Sequence, residues 1–72
     1  MRLKQWLERH PPGDIRTALM QRVGCRVLYL HQVAGGHKNA SAKRAKLIED
    51  ATRELTPGAV VTRAELRPDL FS

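Results

Sequence analysis

The sequence predicts an all-α protein, a single small domain of four or five helices that contains a helix-turn-helix. With 72 residues the chain can build only one hydrophobic core. Apolar residues make up 42% of it, and few of them are aromatic, as expected for a helical core of Leu, Ile, Val and Ala. These residues recur at helical spacing in segments separated by Pro and Gly. The predicted domain covers residues 1–72 and the predicted motif about residues 15–34.

The first predicted helix covers residues 2–9. Leu3, Trp6 and Leu7 recur there at helical spacing. His10 precedes Pro11, and proline disfavours helical geometry in the residue before it, so the helix must end there.

The second and third helices are predicted on either side of Gly24. Asp14 is expected to cap the second helix, and Gly24 to end it. The third helix covers residues 26–34, and Gly35 and Gly36 are expected to supply the left-handed conformations that end it. The residues predicted to face inward are Ile15, Ala18, Leu19 and Val23 on the second helix, and Val27, Leu30 and Val33 or Ala34 on the third.

The fourth helix begins after Ser41, a typical N-cap, and Pro57 ends it. Its predicted inner stripe is Ala45, Ile48, Ala51, Thr52 and Leu55, and its predicted outer face carries Lys43, Lys46, Glu49, Asp50 and Arg53. The run around Val60 is compatible with a short extended segment. Thr62 and Glu65 then have the spacing of a capping box that opens one last helical turn.

Positive charge is concentrated in one stretch of the chain. The formal net charge is +6, yet between Ile15 and Ile48 there are seven Lys or Arg residues and no Asp or Glu. From Glu49 onward, acidic residues outnumber basic ones. This asymmetry indicates a polyanion as partner, although a basic face without any partner would give the same composition.

The acid-free stretch coincides with the predicted pair of helices around Gly24. Two short helices joined by a three- or four-residue turn are typical of the helix-turn-helix, whose second helix enters the DNA major groove. In this arrangement Cys25 is the small residue after the turn, and Leu30 packs against Leu19 and Val23. A two-helix hairpin used only for packing remains the alternative that spacing alone leaves open.

Phosphate contacts are predicted near the helix starts and in the loop before the fourth helix. Backbone N–H groups at helix N-termini bind phosphate, and nearby cations and short polar side chains add to this. The predicted phosphate-contacting residues are Arg16, Thr17, Lys38, Asn39, Ser41, Lys43 and Arg44.

The stretches GCRVLYLHQVAGGHKNASAKRAKLIEDAT and VVTRAELRPDLF resemble the prophage Cro-type regulators and the YdaS-type antitoxins. The resemblance covers about residues 15–71, and the ending TRAELRPDLF is its most specific part. It implies a helix-turn-helix repressor of phage or bacterial operon origin that acts as a homodimer on a palindromic double-stranded DNA operator.

The same resemblance implies which residues of the third helix face base edges. These are Arg26, Val27, Leu28, His31 and Gln32. Val27 and Leu28 have an equally weighted alternative as core or dimer contacts. For Tyr29 two roles stay open, a hydrogen bond to phosphate and a cover over the motif, and its place beside Leu30 favours the cover.

Several other classes of protein are disfavoured. Cys25, His31 and His37 do not have the spacing of a zinc site, so we expect no metal and no cofactor. No nucleophile stands beside a base, and Glu49 and Asp50 are adjacent and face different directions, which argues against an enzyme. The sequence has no apolar run long enough for a membrane helix, and we expect a cytoplasmic protein.

A protein-interaction module is the main alternative to a DNA-binding regulator. Such a module, for instance an antitoxin-like subunit, would bind a toxin or another protein partner through exposed apolar residues. Retention on heparin or random DNA at low salt separates the two hypotheses, because only the DNA-binding hypothesis requires it.

Overall fold

Five helices account for the regular structure of the protein in a computed structural model that describes residues 1–71. They are α1 (Leu3–Arg9), α2 (Asp14–Val23), α3 (Val27–Ala34), α4 (Ala42–Leu55) and α5 (Arg63–Leu66). The predicted all-α class is therefore confirmed. Within these residues there is no strand, so the extended segment considered around Val60 is not part of a sheet.

The helix ends follow from local residue chemistry. Gly24 ends α2 with φ 74°, a left-handed conformation that side chains with a Cβ rarely adopt. Ser41 caps α4, because its Oγ accepts a hydrogen bond from the Arg44 backbone N–H at 3.1 Å. Two expectations are wrong: Asp14 is the first residue of α2 and Gly13 is its cap, and Gly35 has an ordinary φ of −84°.

The core lies where α1, α2, α3 and α4 meet. Trp6, Leu19, Leu30, Ile48 and Val61 have no exposed surface. Helix α2 packs mainly on α4, α1 on α3, and α5 on α4. The predicted burial of Leu30 is confirmed, and it gives α3 its anchor to the rest of the domain.

Buried polar groups in this core are paired. The Trp6 indole Nε1 donates to the Thr56 hydroxyl at 2.9 Å, and the Thr52 hydroxyl accepts from the Val61 backbone N–H at 3.0 Å. In residues 1–71 no buried side-chain nitrogen or oxygen lacks a hydrogen-bonding partner. The segment between α4 and α5 is therefore tied into the core although it is not helical.

Two residues predicted to face inward are exposed instead. Ile15 and Val27 each have 43% of their surface exposed. On α2 the inward position one turn before Leu19 belongs to Arg16, which leaves Ile15 outside. On α3 only Leu30 is fully covered, so the first turn of that helix projects beyond the core.

Glu49, predicted on the outer face of α4, is buried. Its Oε1 accepts a hydrogen bond from the Arg63 backbone N–H at 2.6 Å, and its Oε2 lies 3.2 Å from the Arg63 guanidinium. These contacts, first the backbone N–H and then the guanidinium, hold the pKa of the Glu49 carboxyl below its usual value. The carboxylate thus fastens the start of α5 to α4.

Across residues 1–71, every helix falls short of the length and apolar character that crossing a membrane requires.

Candidate nucleic-acid interface

The ion pairs of the protein separate its cations into two groups. Arg22 pairs with Glu54, and the other paired arginines, Arg53, Arg63 and Arg67, contact the carboxylates of Glu49, Asp50 and Asp69. Several other cations form no ion pair within the described residues, and four of them, Arg26, Lys38, Lys43 and Arg44, lie around the starts of α3 and α4; we call these four the basic cluster. The charge of the basic cluster is therefore available to an outside partner.

The basic cluster lies around the start of α3, the α3–α4 loop and the start of α4. Arg26 is the exposed N-cap of α3, and its side chain makes no capping hydrogen bond. Lys43 and Arg44 lie in the first turn of α4, and neither α3 nor α4 has an acidic residue in its first turn. The positive ends of two helix dipoles thus stand among cations.

The Tyr29 ring joins these elements. The Arg44 guanidinium carbon lies 4.5 Å from the ring centroid, and the Lys38 ammonium nitrogen lies 5.6 Å from it. Arg44 also reaches the turn between α2 and α3, where it donates to the Gly24 carbonyl at 3.5 Å. These contacts bring the start of α4 next to the turn that precedes α3.

An open hollow lies beside this contact, at the start of α3. Its lining is formed by Gly24, Cys25, Arg26, Leu28, Tyr29, Gln32 and Arg44. Burial raises the pKa of the Cys25 thiol and the nearby Arg44 opposes the shift, so the thiol is protonated at neutral pH. The hollow consequently presents cations, an amide and an apolar side chain with no anion.

The residues predicted to face base edges lie on α3 and at its N-cap, and they differ in exposure. Leu28 has 64% of its surface accessible and Val27 has 43%, and Arg26 and His31 are exposed as well. Gln32 is half-buried but lines the same hollow as Arg26 and Leu28. The structure therefore brings Arg26, Leu28 and Gln32 together on one surface of α3.

A second hollow extends this surface toward α2. Thr17, Gln21, Arg26 and Val27 are among the residues that line it, and its surface is mostly apolar. Thr17 is exposed, so the first part of α2 borders the start of α3. Gln21 was not among the predicted contacts, because its place beside Val27 depends on how α2 and α3 meet.

Three other predicted phosphate contacts lie at or just before the start of α4. Asn39 and Lys43 are exposed, as is Ser41, which retains a hydroxyl proton while its oxygen caps the helix. Arg67, far along the chain, donates to the Ala40 carbonyl at 2.8 Å and so holds this turn in place. This contact could not be predicted from the sequence, because Arg67 and Ala40 are 27 positions apart.

Arg16 does not join this surface. It is buried, and its guanidinium donates to the Leu7 carbonyl at 2.7 Å and to the His10 carbonyl at 2.9 Å. Both carbonyls lie at the C-terminal end of α1, where no following helical turn supplies backbone N–H donors. Its predicted phosphate contact does not fit this burial, and Arg16 instead ties α2 to the end of α1.

No protein-family model, curated protein or solved structure matches this chain.

Proposed function

We propose that the protein is a sequence-specific double-stranded DNA-binding transcriptional regulator. In this proposal α2 and α3 form a helix-turn-helix, and α3 is the recognition helix. The observation that carries it is the unpaired basic cluster at the acid-free starts of α3 and α4. Such a surface suits a duplex, because helix N-termini and cations bind phosphates while an exposed helix face reads bases.

Base recognition is assigned to the exposed surface of α3. Arg26 pairs with O6 and N7 of guanine, and Gln32 with N6 and N7 of adenine. Leu28 and Val27 contact thymine methyl groups, which would explain why large apolar side chains are exposed there.

Phosphate contacts are assigned to the α3–α4 loop and the start of α4. Lys38, Lys43 and Arg44 are long enough to reach the backbone beside the groove that α3 occupies, and Ser41 adds a hydroxyl. These contacts hold the protein on any duplex and set its register without reading sequence.

The proposed regulator is a cytoplasmic homodimer that represses by steric occupation of its operator. The protein measures 31 × 24 × 20 Å, so one copy covers only one half-site. Two copies related by a two-fold axis place their recognition helices about 34 Å apart on one face of the duplex.

Selection of bound duplexes from a random pool, followed by binding across a salt series, tests this function. Gln32→Ala should cost about 1–3 kcal/mol on the selected site and relax the preference at one base pair. Lys43→Ala should weaken binding to every duplex alike and lower the salt slope by about one ion.

The two variants serve as controls for each other, since both positions lie outside the fully buried core. A selection that enriches no sequence would contradict specific recognition. The assignment of roles fails if Lys43→Ala alters base preference while Gln32→Ala alters only the salt slope.

A second candidate is an antitoxin-like module that binds a protein partner. The exposure of Ile15, Val27, Leu28 and Leu70 favours it, because large apolar side chains on a surface mark many protein interfaces. Only the DNA-binding function requires retention on random duplex at low salt that falls steeply as salt is added.

A further inference from the structure

Among the described residues, Tyr29 is the one aromatic side chain that two members of the basic cluster share. Its half-buried ring stands on α3, Arg44 approaches it from α4, and Lys38 approaches it from the intervening loop. Three separately placed groups therefore meet at one ring.

A ring holds cations differently from a carboxylate. The face of an aromatic ring attracts an ammonium or guanidinium group through its quadrupole, but it carries no net charge. Arg44 and Lys38 have no carboxylate partner in residues 1–71, so their positive charge is not neutralised. They are held in place and stay fully available to an anion.

Restraining Lys38 and Arg44 in the free protein lowers the entropy that is lost when an anion binds. Free Lys and Arg side chains lose much rotamer freedom when they are fixed by a ligand. Arg44 is restrained further by the Gly24 carbonyl, 3.5 Å away. Part of the ordering needed for phosphate binding is therefore already present in the free protein.

We propose that Tyr29 is a positioning residue whose ring holds Arg44 and Lys38 together as one clamp for phosphate groups. This inference rests on the proposed DNA-binding function and adds the side chain that organises its phosphate contacts. The role belongs to the ring and not to the hydroxyl.

Tyr29→Leu and Tyr29→Phe, measured on random duplex DNA and on heparin, test the clamp. Tyr29→Leu should lower affinity for both polyanions about fivefold, because the cations lose their platform. The salt slope should stay the same, since every cation remains. Tyr29→Phe keeps the ring and should bind like the parent protein.

A second background shows whether Tyr29 acts through its two cations. In Lys38→Ala/Arg44→Ala protein, the further change Tyr29→Leu should have little effect on affinity. The control background is Arg22→Ala, because Arg22 pairs with Glu54 near the opposite end of α4. There Tyr29→Leu should keep its full effect.

The outcomes separate the clamp from the function on which it rests. Equal losses from Tyr29→Phe and Tyr29→Leu, or a loss that persists without both cations, would overturn the positioning role. If the parent binds heparin but no duplex, the proposed function fails. The heparin affinities of the Tyr29 variants then decide whether the clamp is correct. Binding to neither polyanion overturns both.

A measurement without any ligand covers the case in which Tyr29→Leu does not fold. In the parent protein, the δ-methylene protons of Arg44 should show an upfield NMR shift from the Tyr29 ring current. Unshifted protons would mean that Arg44 does not rest on the ring in solution, and this overturns the clamp.

Discussion

At the scale of single residues, the arginines of this protein have different roles: some stabilise the fold and others are free to bind a partner. Arg16 is buried and bonded to carbonyls of α1, whereas Arg26 is exposed and unpaired at the start of α3. Both carry the same charge and lie in the same acid-free stretch of sequence. Only the surroundings of each side chain determine whether it stabilises the fold or can meet a ligand.

Arg16→Ala should lower the free energy of unfolding by about 1–3 kcal/mol, because the carbonyls of Leu7 and His10 lose charged donors. Thermal melting measures this loss. Arg26→Ala is the matched control and should melt like the parent while it weakens specific DNA binding. If Arg16→Ala keeps the parent's stability and loses duplex affinity, Arg16 is a phosphate contact after all.

At the scale of elements, a few buried side chains determine how α3 is anchored and how α4 and α5 are joined. Leu30 is its only fully buried residue, while Leu28, half a turn away, is 64% exposed. The helix thus presents one anchored side and one open side. The α4–α5 pair depends similarly on Glu49, whose carboxylate binds both the backbone and the side chain of Arg63.

Leu30→Ala should cost about 2–5 kcal/mol, because it removes a fully buried side chain from the centre of the core. Leu28→Ala on the same helix should change stability by less than about 0.5 kcal/mol. Urea unfolding of both variants gives the comparison. Equal effects at the two positions would contradict an orientation of α3 that buries Leu30 and exposes Leu28.

Glu49→Gln should destabilise the protein at neutral pH and matter less in acid. The pKa of the Glu49 carboxyl is lowered, so its ionised form stabilises the fold above the usual value of 4.5. That contribution is lost as the pH falls through the lowered pKa of the folded state. The stability gap between parent and variant should therefore be about 1–3 kcal/mol at neutral pH and shrink as the pH falls through the lowered pKa of the Glu49 carboxyl.

Urea unfolding across this pH range measures the gap, and Glu54→Gln is a suitable control, since Glu54 pairs with Arg22 on an exposed surface. A gap that stays constant with pH would show that Glu49 acts only through its shape and hydrogen bonds.

At the scale of the whole molecule, the proposed interface occupies one part of the surface, and residues 60–71, which we call the tail, are our candidate for contact with a second copy. The tail arginines are engaged within the chain, Arg63 with Glu49 and Arg67 with Asp69 and the Ala40 carbonyl. Leu70, in contrast, is 52% exposed. It is the apolar side chain of the tail that can meet another subunit.

We expect two copies to bind one selected palindromic duplex, and Leu70→Asp to reduce their cooperativity about tenfold, or roughly 1.4 kcal/mol. Sedimentation of the protein with full and half sites measures both quantities. Ile15→Asp is the control, because Ile15 is exposed on α2 and outside the tail. One copy per palindrome at saturation would contradict a dimer, whereas pairing only on DNA would agree with it.

The order and extent of the helices could be predicted from the sequence because their signals are local. Gly24 has a left-handed conformation, Ser41 caps α4, and Thr62 forms a capping box with Glu65. Each of these three features depends on residues within one helical turn. The burial of Leu30 followed in the same way from the apolar spacing of α3. The class of fold and the position of the unbalanced charge were therefore determined by sequence alone.

The roles of the charged and aromatic side chains were decided only by tertiary structure. Arg16 was predicted at a phosphate and Glu49 in solvent, yet each is buried against a backbone group of another element. Tyr29 and Arg44 are 15 positions apart and meet because α4 folds back over the turn before α3. A long side chain can reach several partners. Which of them lies within hydrogen-bonding distance depends on how the helices pack, and sequence spacing does not give that packing.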